Sequence, residues 1–426
     1  MKDLKAKVLY NILKTWFSSK ERKRVEKLSR KADKDTIKFL NRQSVLNIIR
    51  KREEISRTDL TNETRLSPTT ISAITSDLVK MNLVREIRVG ESSGGRPPVI
   101  FGINPNAAYC IAIRITPKGA LVTIVNTSFK ILYRKEIGTP IYNEITLKDT
   151  LKASITHALE DFCEDIDLIS GIAVSIPGLI DYENSTVIFC SSLHIENFNL
   201  QEIINEIMPS NKKAYIFKDA DALLLGEYSF DLDAAYKNVI YILIENGVGM
   251  SYIHSGKLFK LPQGGFELGH MTIDPTGPLC RCGNKGCLDA MVSEDPAIKR
   301  LKELLEEGSI SSVKEVKGLR YEDIIELGVQ GDQACSTVLQ EQFYLLGIGI
   351  ANIINIFNPQ LIILGGAFSH SGDEIVKQMK QIVFSKTLKT FSENTQIYVS
   401  RLGRDSSFLG MSKTVFEDSI FKMIKN

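Results

Sequence analysis

The stretch Gly264-Gly265-Phe266-Glu267-Leu268-Gly269-His270, continued by Cys280-Arg281-Cys282-Gly283-Asn284-Lys285-Gly286-Cys287, decides how this chain is read. After His270 the cysteines follow at ten, two and five positions. Three thiolates and an imidazole are a complete tetrahedral donor set for zinc. Gly283 and Gly286 let the loop turn tightly enough for sulfurs so close in sequence to converge. The competing reading is three small buried thiols. Four protein ligands leave no place for water, so the expected zinc ion is structural and not hydrolytic. A histidine held through one ring nitrogen has the other aimed in a fixed direction. His270 is therefore a candidate ligand contact as well as a metal ligand, with Glu267 three positions before it.

Outward from this segment, Cys110, Cys163, Cys190 and Cys335 are scattered, and seven cysteines in all fit a reducing compartment with one metal site better than a disulfide scaffold. A chain of 426 residues, 43% of them apolar, is long enough for two or three cores. No apolar run is long enough to span a bilayer, and the opening MKDLKAKVLY carries charges through the place of a signal peptide's apolar stretch, so a cytoplasmic protein is expected. Residues 1–34 hold twelve Lys/Arg against four Asp/Glu, a surplus of +8 in a chain of net +2, which leaves −6 for the rest. A basic front on an acidic body points to a polyanionic partner, against the alternative of a merely solvated helix.

Residues 1–34 read as a basic helical extension. Residues 35–103 read as three helices and a hairpin. Leu40, Val45, Ile48 and Ile49 carry the first helix. Ser56 with Asp59 has capping-box spacing for the second, and Ser67-Pro68 combines a capping hydroxyl with a first-turn proline for the third. Ile71, Ile74 and Leu78 form the buried stripe of the third helix, which turns Thr69, Ser72, Ala73 and Ser76 outward. Val84–Val89 and Val99–Ile103 flank a wing, Gly90 to Pro98, with Arg96 near its tip. This is a winged helix-turn-helix pattern: a narrow polar helix for the major groove and a basic hairpin for phosphates or the minor groove. A small helical domain that binds protein is the alternative. The DNA-contact candidates are Arg57, Thr69, Thr70, Ser72, Ser76 and Arg96, with Arg57 expected on phosphate and the others nearer base edges.

From 104 to 426 short apolar runs alternate with helical stretches, among them Cys110–Ile113, Leu121–Val125, Ile172–Ile176, Tyr215–Phe217, Val239–Ile244 and Leu361–Leu364. That alternation is the pattern of an α/β domain with parallel or mixed sheets. Internal duplication is not visible in the sequence.

Taken together, Glu267-Leu268-Gly269-His270, the Cys280–Asp289 element, Ser175-Ile176-Pro177-Gly178, Asn41-Arg42, Leu66-Ser67-Pro68-Thr69-Thr70-Ile71-Ser72 and Gly94-Gly95-Arg96-Pro97-Pro98 resemble the ROK family and its repressor branch, over roughly residues 36–420. The resemblance implies a winged helix-turn-helix fused to a two-lobed actin/hexokinase-like domain. It also implies a sugar site at Pro177, Gly178, Lys218, Asp219, Glu267, His270 and Asp289. Asp219 falls where the family's kinases keep their general base, but Lys218 replaces the usual Asn and Asp289 the usual Glu. Two readings of Lys218 stand open: a ligand bearing phosphate or carboxylate, or a local ion pair with Asp219 or at the surface.

The phosphate side departs further from the kinases. Their D-x-G-x-T turn reads Arg114-Ile115-Thr116-Pro117-Lys118, and their second glycine turn reads Glu245-Asn246-Gly247-Val248-Gly249, which sets a carboxylate where a triphosphate would approach, so like charges are expected to repel. Gly365-Gly366-Ala367 resembles the nucleotide-side glycine pair, or serves packing alone. No catalytic residue is therefore expected. The resemblance implies a homodimer or dimer of dimers, a repressor or less often an activator, released from operator DNA by a sugar or sugar derivative. An active sugar kinase with a fused DNA module, and a sugar sensor with a protein-binding front end, are the rivals.

Overall fold

A computed structural model describes residues 19–90, 97–162, 165–208, 212–232, 235–261, 264–370 and 372–425. Met1–Ala107 with Phe416–Asn426 form one compact unit and Ala108–Val415 a second.

In the first unit α1 is one helix, Ser19–Arg52, continuous across position 34, so no break in secondary structure separates the basic extension from the winged module. The short β1 (Ile55–Ser56) leads into α2 (Arg57–Thr64), and α3 (Pro68–Lys80) comes after a tight turn. Ser56 caps α2 by accepting the Asp59 N–H at 3.1 Å and donates its hydroxyl to the Asp59 carboxylate at 2.6 Å. Arg65 closes α2 in the left-handed region at φ 57°, its N–H reaching the Thr61 carbonyl. Ser67 caps α3 through the Thr70 N–H, with Pro68 at the start of the helix. β2 (Val84–Val89) and β3 (Val99–Ile103) complete a three-stranded sheet in the order β1-β3-β2. Val45, Ile49, Leu60, Ile71, Leu78 and Phe101 fill its core. Arg42 is buried there, donating to the Asp77 carboxylate of α3 at 2.6 Å and to the Ile424 carbonyl at 2.8 Å. That contact ties the last turns of the chain into this unit.

The second unit holds two five-stranded sheets. The first comprises β4 (Tyr109–Thr116), β5 (Gly119–Asn126), β6 (Ile131–Ile137), β7 (Ile169–Ile176) and, further along, Ala214–Lys218, in which β4, β5 and β6 form an antiparallel meander and β7 and Ala214–Lys218 add in parallel beside β4. The second repeats this plan: Val239–Ile244, Val248–His254 and Lys257–Leu258 make the meander, and Leu361–Gly366 and Gln396–Val399 add in parallel beside its first strand. The duplication lies in topology, which sequence similarity does not report.

Each sheet has its own apolar core. Val239–Ile244 is buried at every position, as a strand covered on both faces requires. The long helix Gln333–Phe357 runs through the second core. Gly365 is a packing glycine, since a Cβ there would overlap the Tyr241 hydroxyl, and Gly366 stands at φ 70° against the Ile244 carbonyl. A small sheet of β8 (Leu179–Asp181), β9 (Thr186–Cys190) and β10 (Ile195–Asn199) follows β7. Arg114, Pro177, Lys218 and Glu245 all stand at or just past the carboxyl ends of parallel strands, where open α/β sheets place their ligands.

Candidate sugar cleft, metal centre and DNA-facing helix

An open cleft with a cavity volume of about 130 Å³ is lined by Pro177, Gly178, Ser191, Ser192, Asp219, Glu267, His270 and Asp289, and at its other side by Arg114, Thr116 and the Glu245–Gly249 turn. The seven ligand-site residues expected from sequence, Lys218 included, thus come together around one space.

The strand Ala214–Lys218 delivers Lys218, and the helix Asp219–Phe230 begins on the next residue. Asp219 Oδ1 accepts the Ala220 N–H at 2.7 Å. Burial pushes its carboxyl up to about 6, against the pull of Lys218, the Ala220 N–H and Arg114. Lys218 is neither paired with Asp219 nor at the surface. Its Nζ donates to Glu267 Oε1 at 2.6 Å and to the Gly265 carbonyl at 3.0 Å, with side chains 8% and 34% exposed respectively for Lys218 and Glu267. A local ion pair is what the structure contains, with Glu267 as partner.

Asp289 opens a short helix, Asp289–Val292, directly after the cysteine loop. Its Oδ1 accepts the Val248 N–H at 2.7 Å, and its Oδ2 lies 3.6 Å from Arg281. The shorter side chain thus braces the Glu245–Gly249 turn. Gly247 fits against it, since a Cβ there would come within 2.8 Å of Asp289 Oδ1. Gly178 has φ 107°, and a Cβ would meet the Phe189 carbonyl at 2.4 Å, so glycine is required where the chain enters β8.

Arg114 and Glu245 are each other's partner. Arg114 Nη2 donates to Glu245 Oε2 at 2.5 Å, with side chains 7% and 16% exposed. Burial opposes the Arg114 charge, and Glu245 together with Asp219 more than restores it. The two residues that depart from the kinase turns thus form one internal ion pair, and the expectation of an unanswered negative charge at Glu245 is corrected: Arg114 faces it.

His270, Cys280, Cys282 and Cys287 bring one ligand atom each to within 4.8 Å of one another. Cys282 Sγ and Cys287 Sγ stand 3.7 Å apart, and His270 Nδ1 stands 3.7 Å from Cys280 Sγ. A tetrahedral zinc with bonds of about 2.3 Å sets its sulfurs about 3.8 Å apart. The donor set and spacing fit such an ion. Because Nδ1 faces the sulfurs, Nε2 is the nitrogen left for the cleft that His270 lines.

Sequence reasoning missed several participants. Arg281, between two cysteines, donates to the Asn246 carbonyl at 2.7 Å and lines the cleft. Cys190 also lines it, its thiol pushed up by burial. Tyr182 donates to Asp221, which also accepts from Ser251 at 2.5 Å, so β8–β9 is tied to the helix that carries Asp219. No motif marks Tyr182 or Asp221.

In the first unit Thr69 and Ser72 are exposed, and Thr70 and Ser76 half-buried. The Thr70 hydroxyl lies 2.8 Å from Ser67 Oγ, which engages it in the cap. Arg57 lies over the Phe101 ring at 4.5 Å and donates from Nε to Thr75 Oγ1 at 3.0 Å, so it braces α3 from inside the unit. Arg96 falls outside the described residues.

A three-helix winged unit and a duplicated α/β unit carrying a loop of one histidine and three cysteines define a sugar-kinase-like scaffold joined to a DNA-reading module. The chain belongs to the ROK family, whose match covers residues 110–417. It is 34% identical to the xylose repressor of Bacillus spizizenii, over 91% of this chain and 97% of that protein. A ROK family transcriptional regulator, a homologue of the Escherichia coli MLC protein, has a similar structure, with TM-score 0.76, 25% identity, and coverage of 91% of this chain and 99% of that one. A ROK family glucokinase from Streptomyces griseus, solved with glucose and AMPPNP, shares the fold at TM-score 0.64 and 22% identity, covering 72% of this chain and 99% of its own.

Proposed function

We propose that this chain is a sugar-responsive transcriptional repressor that binds operator DNA as a homodimer and releases it when a neutral aldose, with D-xylose the first choice, occupies the cleft. The observation that carries the reading is the asymmetry of the cleft. Asp219, Glu267 and the free nitrogen of His270 face the sugar side with hydrogen-bonding capacity, while Arg114 and Glu245 on the phosphate side are paired with each other. Carboxylates accept sugar hydroxyls well, and Lys218 is engaged by Glu267, which favours a neutral sugar over an anionic one. The relative named a xylose repressor supports the choice of sugar.

Zinc held by His270, Cys280, Cys282 and Cys287 would act as a structural ion, fixing the His270 ring against the cleft. Thr69, Ser72 and Ser76 on α3 are the base-edge candidates, with Thr70 beside them in the cap and Arg96 at the wing. In a dimer the two α3 helices stand about 34 Å apart, or a multiple of that, to enter successive major grooves. Residues 1–34 would be a basic extension, 35–103 the DNA module with the last turns Phe416–Asn426 packed into it, and 104–415 the sugar module. The place of action is the cytoplasm; among the described residues no helix is long and apolar enough to cross a membrane. ATP turnover is not part of this function.

The test is retardation of the protein's own promoter DNA across salt concentrations, with and without D-xylose, beside a thermal-shift screen of sugars and sugar phosphates. Salt-sensitive binding reversed by D-xylose is expected. Binding insensitive to salt and to every sugar, or phosphorylation of a sugar by ATP, would overturn the proposal.

A further inference from the structure

Besides Lys218–Glu267 on the sugar side, three ion pairs run from the first sheet to the second half of this unit. Arg114 near the end of β4 reaches Glu245 at 2.5 Å, Lys118 in the following turn reaches Glu294 at 2.7 Å, and Arg134 on β6 reaches Asp405 at 2.5 Å. Glu245 faces a second guanidinium: Arg404 Nε stands 3.9 Å from its Oε1, while Arg404 Nη2 donates to Glu322 at 2.9 Å. Charges therefore alternate along Arg114, Glu245, Arg404 and Glu322, with Arg114 at the buried end. In a nucleotide-binding protein of this fold the phosphates and their cation would join these strand ends. Here protein charges do so.

We infer that this ladder is a built-in clasp that holds the two sheets at the separation at which Asp219, Glu267 and His270 meet one sugar, which makes Arg114 and Glu245 positioning residues for effector recognition. The inference rests on the sugar-responsive reading above. A ligand's apparent affinity scales with the fraction of protein already in the competent arrangement, and a clasp across the cleft raises that fraction before any sugar arrives. The lone rival is that the pair merely fills space. The two separate because removing one partner of a buried pair strands a charge, whereas replacing both by apolar side chains of similar volume is close to neutral for stability.

The experiment compares R114M, E245M and the double variant R114M/E245M in the full chain. The single variants lose thermal stability and the double regains it. For a clasp, the double still binds D-xylose at least tenfold more weakly than wild type in calorimetry and needs correspondingly more D-xylose to leave promoter DNA. A double variant with wild-type D-xylose affinity overturns the clasp. If the double does not refold, E245Q, which keeps shape and one acceptor, is read in the same way. If wild type binds no D-xylose, the choice of sugar fails separately. The clasp is then decided by hydrogen exchange in sugar-free protein: faster exchange at Glu245–Gly249 and Arg114–Thr116 in the double supports it, and unchanged exchange overturns it.

Discussion

Replacing Lys218 by the neutral amide that the family's kinases carry separates its two readings. In K218N the shorter side chain reaches neither Glu267 Oε1, now 2.6 Å from Nζ, nor the Gly265 carbonyl at 3.0 Å. A hydrogen bond to a charged group is worth about 1.5–3 kcal/mol. Lys218 is 8% exposed but Glu267 is 34% exposed and keeps water, which places the loss near 2 kcal/mol, below the 3–5 of a fully buried pair. Unfolding a unit of about 300 residues carries an entropy of roughly 0.6 kcal/mol per degree. K218N should therefore melt about 3 °C lower in differential scanning calorimetry. Glu267, freed from its partner, is no longer held for the sugar, and D-xylose affinity should fall about tenfold, the equivalent of 1.4 kcal/mol. Isothermal titration with D-xylose, a sugar acid and a sugar 6-phosphate completes the assay. The reasoning fails if K218N melts with wild type, or if wild type prefers the anionic sugars and K218N loses those alone.

Asp219 titrates near 6, raised by burial, and it accepts sugar hydroxyls best when ionised; D-xylose affinity should be full at pH 7.5 and fall as pH drops through 6 toward 5, a loss visible in titrations across that range. D219N removes a charge whose folded pKa lies above its unfolded one, so at pH 7 it should raise the melting temperature while abolishing sugar binding; a less stable variant would contradict the assigned burial. Mutating Cys282 to serine, or prolonged chelation, should release one equivalent of zinc and lower both melting temperature and sugar response, and equal zinc content in C282S and wild type would remove the metal assignment. R57A should lower the stability of the DNA module by about 1 kcal/mol through loss of its Phe101 and Thr75 contacts, whereas exposed Ser72 mutated to alanine should leave melting unchanged and weaken operator binding; the reverse pattern in paired melting and retardation assays would reassign both residues.

The parts of this molecule legible in the sequence are those whose partners lie nearby along the chain. The candidate metal ligands span only His270 to Cys287, and helix caps operate over three residues, which is why Ser56, Ser67 and the Ile71, Ile74, Leu78 stripe could be read directly and then met in the fold. The apolar runs likewise marked the strands, because a strand buried on both faces has no other composition available to it. Only the tertiary structure decided which charges answer which. Arg114 and Glu245 are 131 positions apart, Lys218 and Glu267 49, and Asp289 and Val248 41. A sequence carries the sign of each group but not the distance to its partner, and Coulomb attraction and hydrogen bonding turn on that distance. Two changes that looked like independent damage to a phosphate site are one ion pair, and a lysine that suggested an anionic ligand is the anchor of Glu267. The twofold plan of the sheets also belongs to the structure alone, since strand order is a property of pairing and many unlike sequences satisfy it.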